Sequence, residues 1–370
     1  MSLPFDQLTI KPASKSQVFE AETRSSVEWA KWLSLEQYLS RCEEGLTQDH
    51  AKDGKLTSWV LVPANDPETL DFFCACETYR RDTFILPKGE TTAIPGIGFG
   101  IAAVFTPARY RGKGYAGRMM NLLHFAIAKP EGIPSFPSTW GLAPPFRLEQ
   151  PCEVSVLYSD VGKFYERCAP GEGVGWTIVD PMTTEWVVEA DGNKTAPASV
   201  ELLSRDDAIK AVAGDLDLFK KDLESKGPSE RIHFGFQPTA AWCSFQMHWD
   251  DKHPLYMSSP PSFWGAKTKV GEETHFIVWQ YEASPKPKLI ILYTRATPET
   301  FPDLFEAARS VCRAEKHGAI ETWNLDEALV PIGGQLGGRT YERGEHLPAM
   351  KWYGEPGEVV WVGNNKLHWC

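Results

Sequence analysis

The sequence predicts a mixed α/β fold with two units, and three features of the chain support this prediction. Short apolar runs bounded by turn residues predict several strands within the first 105 residues. A strand at 96–105 leads through a basic, glycine-containing turn into an amphipathic helix at 113–128. The same strand–helix–strand order returns between 289 and 323, so we expect a second unit that echoes the first.

The first unit combines seven predicted strands with further helical regions at 16–42 and 162–168. Gly98 and Gly100 lie inside the fourth strand and predict a bulge or a close backbone approach there. A polar section of the third strand, 77–82, is expected to be exposed. The predicted strands are 8–10, 58–63, 71–86, 96–105, 153–158, 175–179 and 185–188.

A polar segment from Asp191 to Pro197 separates the two units and has the composition of a linker. We therefore expect domains at 1–190 and 198–370. The second unit has no basic glycine turn before its second helix, so a second phosphate site is not expected. Its predicted elements are helices at 206–226 and 301–317 and strands at 276–279, 289–293 and 320–323.

Composition limits the partners and the compartment. The net charge of −11 and the pI of about 5.4 disfavour nucleic acid and anionic membranes as partners. No apolar run reaches the roughly 20 residues that a membrane span needs, and the N-terminal segment lacks the pattern of a secretory signal. We therefore expect a cytoplasmic protein. The eight cysteines are scattered without zinc-ligand spacing, so we expect free thiols and no metal.

The most informative segment joins the fourth strand to the helix that follows it. Arg109, Arg111 and Lys113 give this turn positive charge, while Gly112 and Gly114 let its backbone approach a ligand closely. The start of a helix presents unpaired N–H groups and a partial positive charge, which suit phosphate. The turn therefore predicts a cradle for a pyrophosphate group.

Two glycine patterns compete for this segment. Residues 112–117 match G-x-G-x-x-G, the dinucleotide-binding turn. That turn needs its first glycine at the strand end and an acidic residue about 20 positions later, at the end of the next strand. Here several residues follow Phe105, and a loop at 131–134 stands where the acidic strand end should be. The competing pattern, [Q/R]-x-x-G-x-[G/A], fits twice, at 109–114 and at 111–116.

This second pattern, after a hydrophobic strand, resembles the acetyl-CoA-binding segment of the GNAT N-acetyltransferase superfamily. Further along, F-Y-E-R at 164–167 and G-W at 175–176 resemble the family's F-Y-x-x-x-G-F signature, with a longer spacing before the glycine. The segment 155–165 and the tryptophan-rich end of the chain are similar to the fungal lysine N-acetyltransferase group. The superfamily resemblance covers about residues 5–190.

The resemblance implies a GNAT fold in which the fourth and fifth strands splay apart and acetyl-CoA lies in the gap. Its pantetheine arm is then expected to pair with the fourth strand, and its diphosphate to rest on the N–H groups of the turn. The C-terminal α/β domain, a candidate degenerate GNAT-like repeat, is expected to close the acceptor site. The implied cosubstrate-binding residues are Val104, Phe105, Thr106, Arg109, Arg111, Gly112, Lys113, Gly114, Tyr115 and Ala116.

The resemblance also implies two catalytic residues. Tyr165 stands where the family has the acid that protonates the CoA thiolate; the alternative is a tyrosine packed on the sheet. Asp160, just past the fifth strand, is either an amine-binding carboxylate or base, or the cap of the helix near Gly162. A carboxylate on Cys370, in an apolar tail able to dock, is a further candidate base.

The leading hypothesis is transfer of an acetyl group from acetyl-CoA to a primary amine, the side-chain amine of free L-lysine, by direct attack in a ternary complex. A lysine amine has an ordinary pKa of about 10.4, so a base must remove a proton before attack. The alternatives are a protein or peptide acetyltransferase with an open acidic groove, and a non-catalytic protein that binds CoA without turnover. The sequence leaves the oligomeric state open.

Overall fold

The computed structural model describes residues 3–189, 195–248, 251 and 253–370. Within them the chain forms two mixed β-sheets with helices packed against them. The strands are β1 (Leu8–Pro12), β2 (Leu56–Pro63), β3 (Cys74–Leu86), β4 (Ile94–Phe105), β5 (Val154–Ser159), β6 (Thr177–Ile178), β7 (Met182–Val187), β8 (Glu201–Leu203), β9 (Ile232–Phe236), β10 (Gly265–Val270), β11 (Glu273–Glu282), β12 (Lys288–Arg295), β13 (Ala319–Trp323), β14 (Arg339–Glu342), β15 (Leu347–Trp352) and β16 (Val359–Trp361). The α-helices are α1 (Lys15–Trp29), α2 (Leu35–Leu46), α3 (Tyr115–Ile127), α4 (Arg205–Gly214), α5 (Leu216–Glu224), α6 (Ala240–Met247), α7 (Pro254–Ser258), α8 (Phe301–Ala314) and α9 (Val330–Gln335).

The first sheet has the strand order β1-β2-β3-β4-β5-β15-β6, and β9 and β16 extend it beside the end of β3. Along this order only β4 and β5 are parallel, because α3 crosses between them. The predicted apolar stripe of α3 is confirmed, since Met119, Met120, Leu123 and Ile127 are fully buried against the sheet. This packing fixes the start of α3 beside the end of β4.

The second sheet repeats this arrangement, with the order β8-β10-β11-β12-β13-β7-β14. Its parallel pair is β12 and β13, and α8 crosses between them. β4–α3–β5 in the first sheet therefore corresponds to β12–α8–β13 in the second. The echo that the sequence predicted is present in the strand order of both sheets.

The two sheets exchange strands. β7 directly follows β6 of the first sheet, yet it pairs with β13 and β14 in the second. β15 follows β14 of the second sheet, yet it pairs with β5 in the first. The seventh predicted strand thus belongs to the second sheet. The predicted boundary between the domains stays a prediction, because residues 190–194 of the expected linker lie outside the described residues.

Two glycines of β4 are closely approached, but by side chains and not by the backbone that the sequence predicted. A Cβ atom on Gly98 would lie 2.6 Å from the ring of Phe236, and one on Gly100 would lie 2.8 Å from Sγ of Cys370. The bulge itself lies further along the strand. It is centred on Ala103, which has a positive φ of 51°, where the register between β3 and β4 shifts.

The prediction that 77–82 is exposed is wrong for most of this section. Thr78, Tyr79 and Arg81 are buried, because β3 is an inner strand covered on both faces. α3 packs on one face, while the chain end and α6 cover the other. Polar residues on β3 therefore point into the protein.

The helical region predicted at 16–42 is divided into α1 and α2. Ser34 accepts a hydrogen bond from the N–H of Gln37, whose side chain in turn accepts one from the N–H of Ser34. This capping box starts a new helix. Among the described residues, none of the helices combines the length and the apolar character needed to cross a bilayer.

The close packing on β4 leads to a stability prediction. We expect Gly98→Ala to lower the free energy of unfolding by about 1–3 kcal/mol, because the added methyl group has to displace the ring of Phe236. Urea denaturation measures this change. The control is Gly45→Ala in α2, where a Cβ atom meets nothing within 4 Å and no loss is expected. Equal losses in both variants would contradict the packing described here.

Candidate active site

The cleft opens where β4 and β5 stop pairing. Their register runs from Gly98 opposite Val154 to Ile101 opposite Leu157 and then ends. The bulge at Ala103 keeps β4 paired with β3 but turns its outer edge away from β5. The backbone groups of β4 beyond Ile101 are therefore available to an extended ligand lying in the gap.

Val104, Phe105 and Thr106, the predicted binding residues at the end of β4, differ in what they offer a ligand. Val104 is half-buried within the bulge. The side chain of Phe105 is buried and meets the ring of Trp29 at 5.7 Å, so this residue offers a ligand its backbone only. The hydroxyl group of Thr106 donates to Sγ of Cys74 at 3.4 Å.

The turn before α3 has the backbone geometry of an anion cradle. Gly112 and Gly114 have φ values of 75° and 83°, in the left-handed region that favours glycine. Gly114 is the N-cap of α3 and has no side chain to satisfy the first N–H groups of the helix. The N–H groups of Tyr115 and Ala116 therefore remain available for phosphate oxygens.

The basic side chains of the turn are exposed and paired with acceptors that an anion could replace. Arg109 forms an ion pair with Asp71, and Arg111 forms one with Glu28 at 2.7 Å. Nζ of Lys113 donates to the carbonyl oxygen of Arg109 at 3.0 Å. Surface ion pairs of this kind contribute little to stability. The arginines can therefore turn to a diphosphate at small cost.

The side chain of Tyr115 belongs to the core rather than to the cradle. It is buried, and its ring stacks on Phe73 with centroids 4.5 Å apart. A second ring, that of Phe5, lies 6.0 Å away. Tyr115 thus reaches a ligand through its N–H group alone, and its ring anchors the start of α3.

Tyr165 lies in a 3-10 helix, Gly162–Arg167, below the gap and on the same face of the sheet as α3. Its carbonyl oxygen accepts hydrogen bonds from the N–H groups of Cys168 and Trp176, both at 3.1 Å. Gly175 packs so closely on this carbonyl that a side chain would not fit, which explains the glycine of the sequence signature. Burial and, secondly, the Cys74 thiol raise the pKa of Tyr165, so the hydroxyl group stays protonated at neutral pH.

Asp160 lies at the end of β5 and already has a partner. Its Oδ1 accepts hydrogen bonds from the N–H group of His346 at 2.7 Å and pairs with Nδ1 of the same residue at 3.1 Å. Burial acts to raise the pKa of Asp160, but His346 outweighs it and lowers that pKa. The cap alternative is wrong, because Val161 precedes the 3-10 helix as its N-cap and no side chain caps this helix. The N–H group of Val161 donates instead to Oγ of Ser159 at 3.2 Å. A role of Asp160 as base or amine ligand stays a prediction.

The last residues of the chain cover the other face of the sheet at the gap. Sγ of Cys370 lies over Gly100 and contacts the carbonyl oxygen of Ile101 at 3.7 Å. The tail is held by Arg81, which donates to the carbonyl oxygen of His368 at 3.0 Å. The predicted docking of the tail is confirmed. A role of a carboxylate on Cys370 as the base stays a prediction.

Two carboxylates that the sequence analysis missed lie on this second face. Glu77 is opposite Ala102 at the bulge, and Tyr79 donates to its carboxylate at 2.8 Å. Burial raises the pKa of Glu77. Burial, then the charges of Glu77 and Glu43, raise the pKa of Glu22 to about 7. Within the described part of the chain, neither Glu22 nor Glu77 forms an ion pair. The signal available in the sequence was the alternation of β3, which puts residues 77, 79 and 81 on one face.

A family model described as LYC1 GNAT-like C-terminal domain matches residues 184–370, half of the chain. The chain belongs to this GNAT-like family. Its matched region begins within β7, the strand that crosses into the second sheet. The second unit is therefore GNAT-like, as its strand order indicates.

Known relatives extend the likeness over the whole GNAT-like chain. It is 22% identical to a protein of Yarrowia lipolytica named lysine acetyltransferase, over 96% of this chain and 98% of that protein. The fold is also similar to a probable N-acyltransferase of Enterococcus faecalis (TM-score 0.55, 11% identity, 94% of this chain and 73% of that one). A GCN5-related N-acetyltransferase of Kribbella flavida gives a TM-score of 0.52 with 13% identity, over 93% and 71% of the two chains. The predicted fold class and the predicted family of acyl-CoA-dependent N-acetyltransferases are confirmed.

Lys113 offers a direct test of the cradle. We expect Lys113→Glu to weaken CoA binding about tenfold or more, because a carboxylate at the start of α3 repels the diphosphate. Isothermal titration calorimetry at two salt concentrations measures the affinity. The control is Lys269→Glu, at an exposed position of β10 in the second sheet. Protein with this substitution should bind CoA with unchanged affinity. Unchanged affinity of Lys113→Glu would contradict the assignment of the cradle.

Proposed function

We propose that this protein transfers an acetyl group from acetyl-CoA to the side-chain amine of free L-lysine. The observation that carries this proposal is the combination of a glycine cradle at the start of α3 with a strand pair, β4 and β5, that separates beside it. The match to a relative named lysine acetyltransferase over nearly the full length of both chains supports the acceptor.

Each part of acetyl-CoA has a chemically suitable counterpart. The diphosphate suits the N–H groups from Gly112 to Ala116 together with Arg111 and Lys113. The pantetheine arm carries amide groups that suit the chain at Val104 and Thr106, where β4 no longer pairs with β5. Nε of Arg111 donates to the carbonyl oxygen of Thr106 at 3.0 Å and would turn away with its side chain. The thioester then lies at the bulge, where a β4 N–H group can stabilise the oxygen as it becomes negative.

The reaction needs an acid and a base. In this proposal they lie on opposite faces of the first sheet. The neutral amine attacks the thioester carbon, a C–N bond forms and the C–S bond breaks. The leaving thiolate takes a proton from the hydroxyl group of Tyr165, on the α3 face. The attacking nitrogen loses its proton to a carboxylate on the opposite face. The carboxylate releases its proton to water and Tyr165 regains one from water, so the products are CoA and the acetylated amine.

Glu77 and Glu22 suit the amine side of this reaction. Both carboxylates are half-buried, and neither is ion-paired within the described residues, so they favour the approach of an ammonium group. Glu22, with a pKa of about 7, can hold a proton or release it near neutral pH, which is the range where a general base works best. Tyr79 connects to Glu77 by a hydrogen bond and completes a polar lining.

The covered second face supports a small acceptor over a peptide. Cys370 lies on Gly100, Trp242 lies over Arg81 at 3.9 Å, and Phe245 contacts His50, so tail and α6 enclose this side of the gap. A protein substrate would need an open groove here, whereas a single amino acid suits an enclosed site.

Turnover tests the proposed function directly. We expect protein mixed with acetyl-CoA and L-lysine to release CoA and to yield lysine acetylated on its side chain, identified by mass spectrometry. A lysine-containing peptide and other small amines serve as comparison acceptors. Acetylation of the peptide alone would overturn the choice of acceptor. Acetyl-CoA binding without transfer to any amine would favour the non-catalytic alternative.

Glu77→Gln tests the amine side separately. We expect kcat/KM for lysine to fall about 10- to 100-fold, because the amine loses its carboxylate partner, while the affinity for acetyl-CoA stays unchanged. Steady-state kinetics with each substrate varied in turn separates the two effects. Glu201→Gln, at an exposed position on β8, is the matched control. If Glu77→Gln kept full activity, another group would have to accept the proton.

A further inference from the structure

A chain of four hydrogen bonds runs through the core beside the 3-10 helix of Tyr165. Nε1 of Trp176 donates to Oγ of Ser155 at 2.9 Å, and Oγ of Ser155 lies 2.9 Å from the hydroxyl oxygen of Tyr353. That hydroxyl group lies 2.7 Å from Nδ1 of His124, whose Nε2 lies 2.8 Å from the carbonyl oxygen of Cys168. All five residues are buried.

The chemistry of its two ends gives this chain a single direction. The indole N–H of Trp176 can only donate, and the carbonyl oxygen of Cys168 can only accept. Burial, the largest influence, lowers the pKa of His124 to about 3, so its ring is neutral across the physiological range. Its single proton is on Nε2, which donates to Cys168, so Nδ1 accepts from the hydroxyl group of Tyr353. Ser155 must then donate to Tyr353.

The chain of hydrogen bonds connects elements that are distant in sequence. His124 lies in the last turn of α3, Ser155 in β5, and Tyr353 directly after β15. The ring of His124 also stacks on Trp176 with centroids 4.1 Å apart. One connected core therefore joins the helix of the cradle, the strand at the gap and the strand contributed by the C-terminal half.

Both ends of this chain of hydrogen bonds contact Tyr165, the residue proposed as the acid. The N–H groups of Cys168 and Trp176 both donate to the carbonyl oxygen of Tyr165, at 3.1 Å. Cys168 is in turn held through its own carbonyl oxygen by His124, and Trp176 through its indole by Ser155. The buried chain of hydrogen bonds therefore holds in place the two residues, Cys168 and Trp176, whose N–H groups bind the backbone of Tyr165.

We propose that His124 is a positioning residue: through Tyr353, Ser155 and the peptide groups of Cys168 and Trp176, it holds the hydroxyl group of Tyr165 in place for proton transfer to the leaving thiolate. This inference rests on the proposed function. His124 does not touch the substrates itself, because both of its ring nitrogens are used within the core. Tyr353, directly after β15, thus helps to position the proposed acid through its hydroxyl group.

A double-mutant cycle tests the proposal. His124→Phe and Tyr353→Phe are each made alone and in the Tyr165→Phe background, and kcat, both KM values and the melting temperature are measured. Tyr353→Phe removes one oxygen only, so it keeps the test available if His124→Phe does not fold. His124→Gln, which retains a donor and an acceptor, should restore part of the activity.

The matched control is His317→Phe in the second unit. His317 is also buried, and it likewise lies between a tyrosine hydroxyl, that of Tyr256 at 3.0 Å, and a main-chain carbonyl oxygen, that of Glu315 at 2.8 Å. Its loss should lower stability to a similar degree and leave kcat unchanged. The control therefore separates loss of a buried hydrogen-bonded histidine from loss of the acid's position.

We expect His124→Phe and Tyr353→Phe to lower kcat about 10- to 100-fold with little change in the KM for acetyl-CoA. In the Tyr165→Phe background the same changes should have no further effect on kcat. Equal losses in both backgrounds would overturn the proposal.

A second readout is independent of turnover. In protein labelled with 13C-tyrosine, the ring signals of Tyr165 are assigned by their loss in Tyr165→Phe. They should shift or broaden in His124→Phe but not in His317→Phe. Unmoved signals would overturn the positioning role. If no amine is acetylated, the proposed function fails, and these signals still decide whether His124 positions Tyr165.

Discussion

The cleft depends on one constraint: β4 cannot pair with β3 and β5 along its whole length. A strand between two neighbours uses all its N–H and C=O groups, and such an edge has nothing to offer a ligand. The bulge at Ala103 preserves the pairing with β3 and ends the pairing with β5 after Ile101. The free edge, the glycine turn at the start of α3 and Tyr165, the proposed acid, then lie around one opening.

The first sheet is completed by the second half of the chain. β15 pairs with β5, Tyr353 joins the buried chain, and Cys370 lies on β4. The reverse exchange sends β7 into the second sheet. In the second unit, Arg295 at the end of β12 forms an ion pair with Asp215, and the hydroxyl group of Tyr293 donates to the same carboxylate. The two sheets thus share a strand order but not their polar contacts.

The parts of the site that could be predicted are those encoded by adjacent residues. The cradle needs two glycines, basic side chains and an apolar stripe within about one helix length, and all of these can be seen in the sequence. The short helix of Tyr165 and its glycine were visible for the same reason. Glu77 was not, because a carboxylate within a strand normally faces solvent, and only the covering tail and α6 turn its face inward. Asp160 shows the converse: the short helix after it has no side-chain cap, and the carboxylate of Asp160 binds His346, which is far along the chain.

The sequence alone determined three features: the class of fold, the helix that begins at a basic glycine turn, and the repeat of the strand–helix–strand order in the second half. These could be predicted because periodicity and turn chemistry act over a few residues. Tertiary structure alone decided which strand stands beside β5, which carboxylates lose their water and which groups surround the backbone of Tyr165. Those outcomes depend on contacts between segments that are far apart in the sequence, such as His124 with Tyr353, a separation of 229 residues. No local pattern specifies such a pair, because it forms only when both sheets have closed around it.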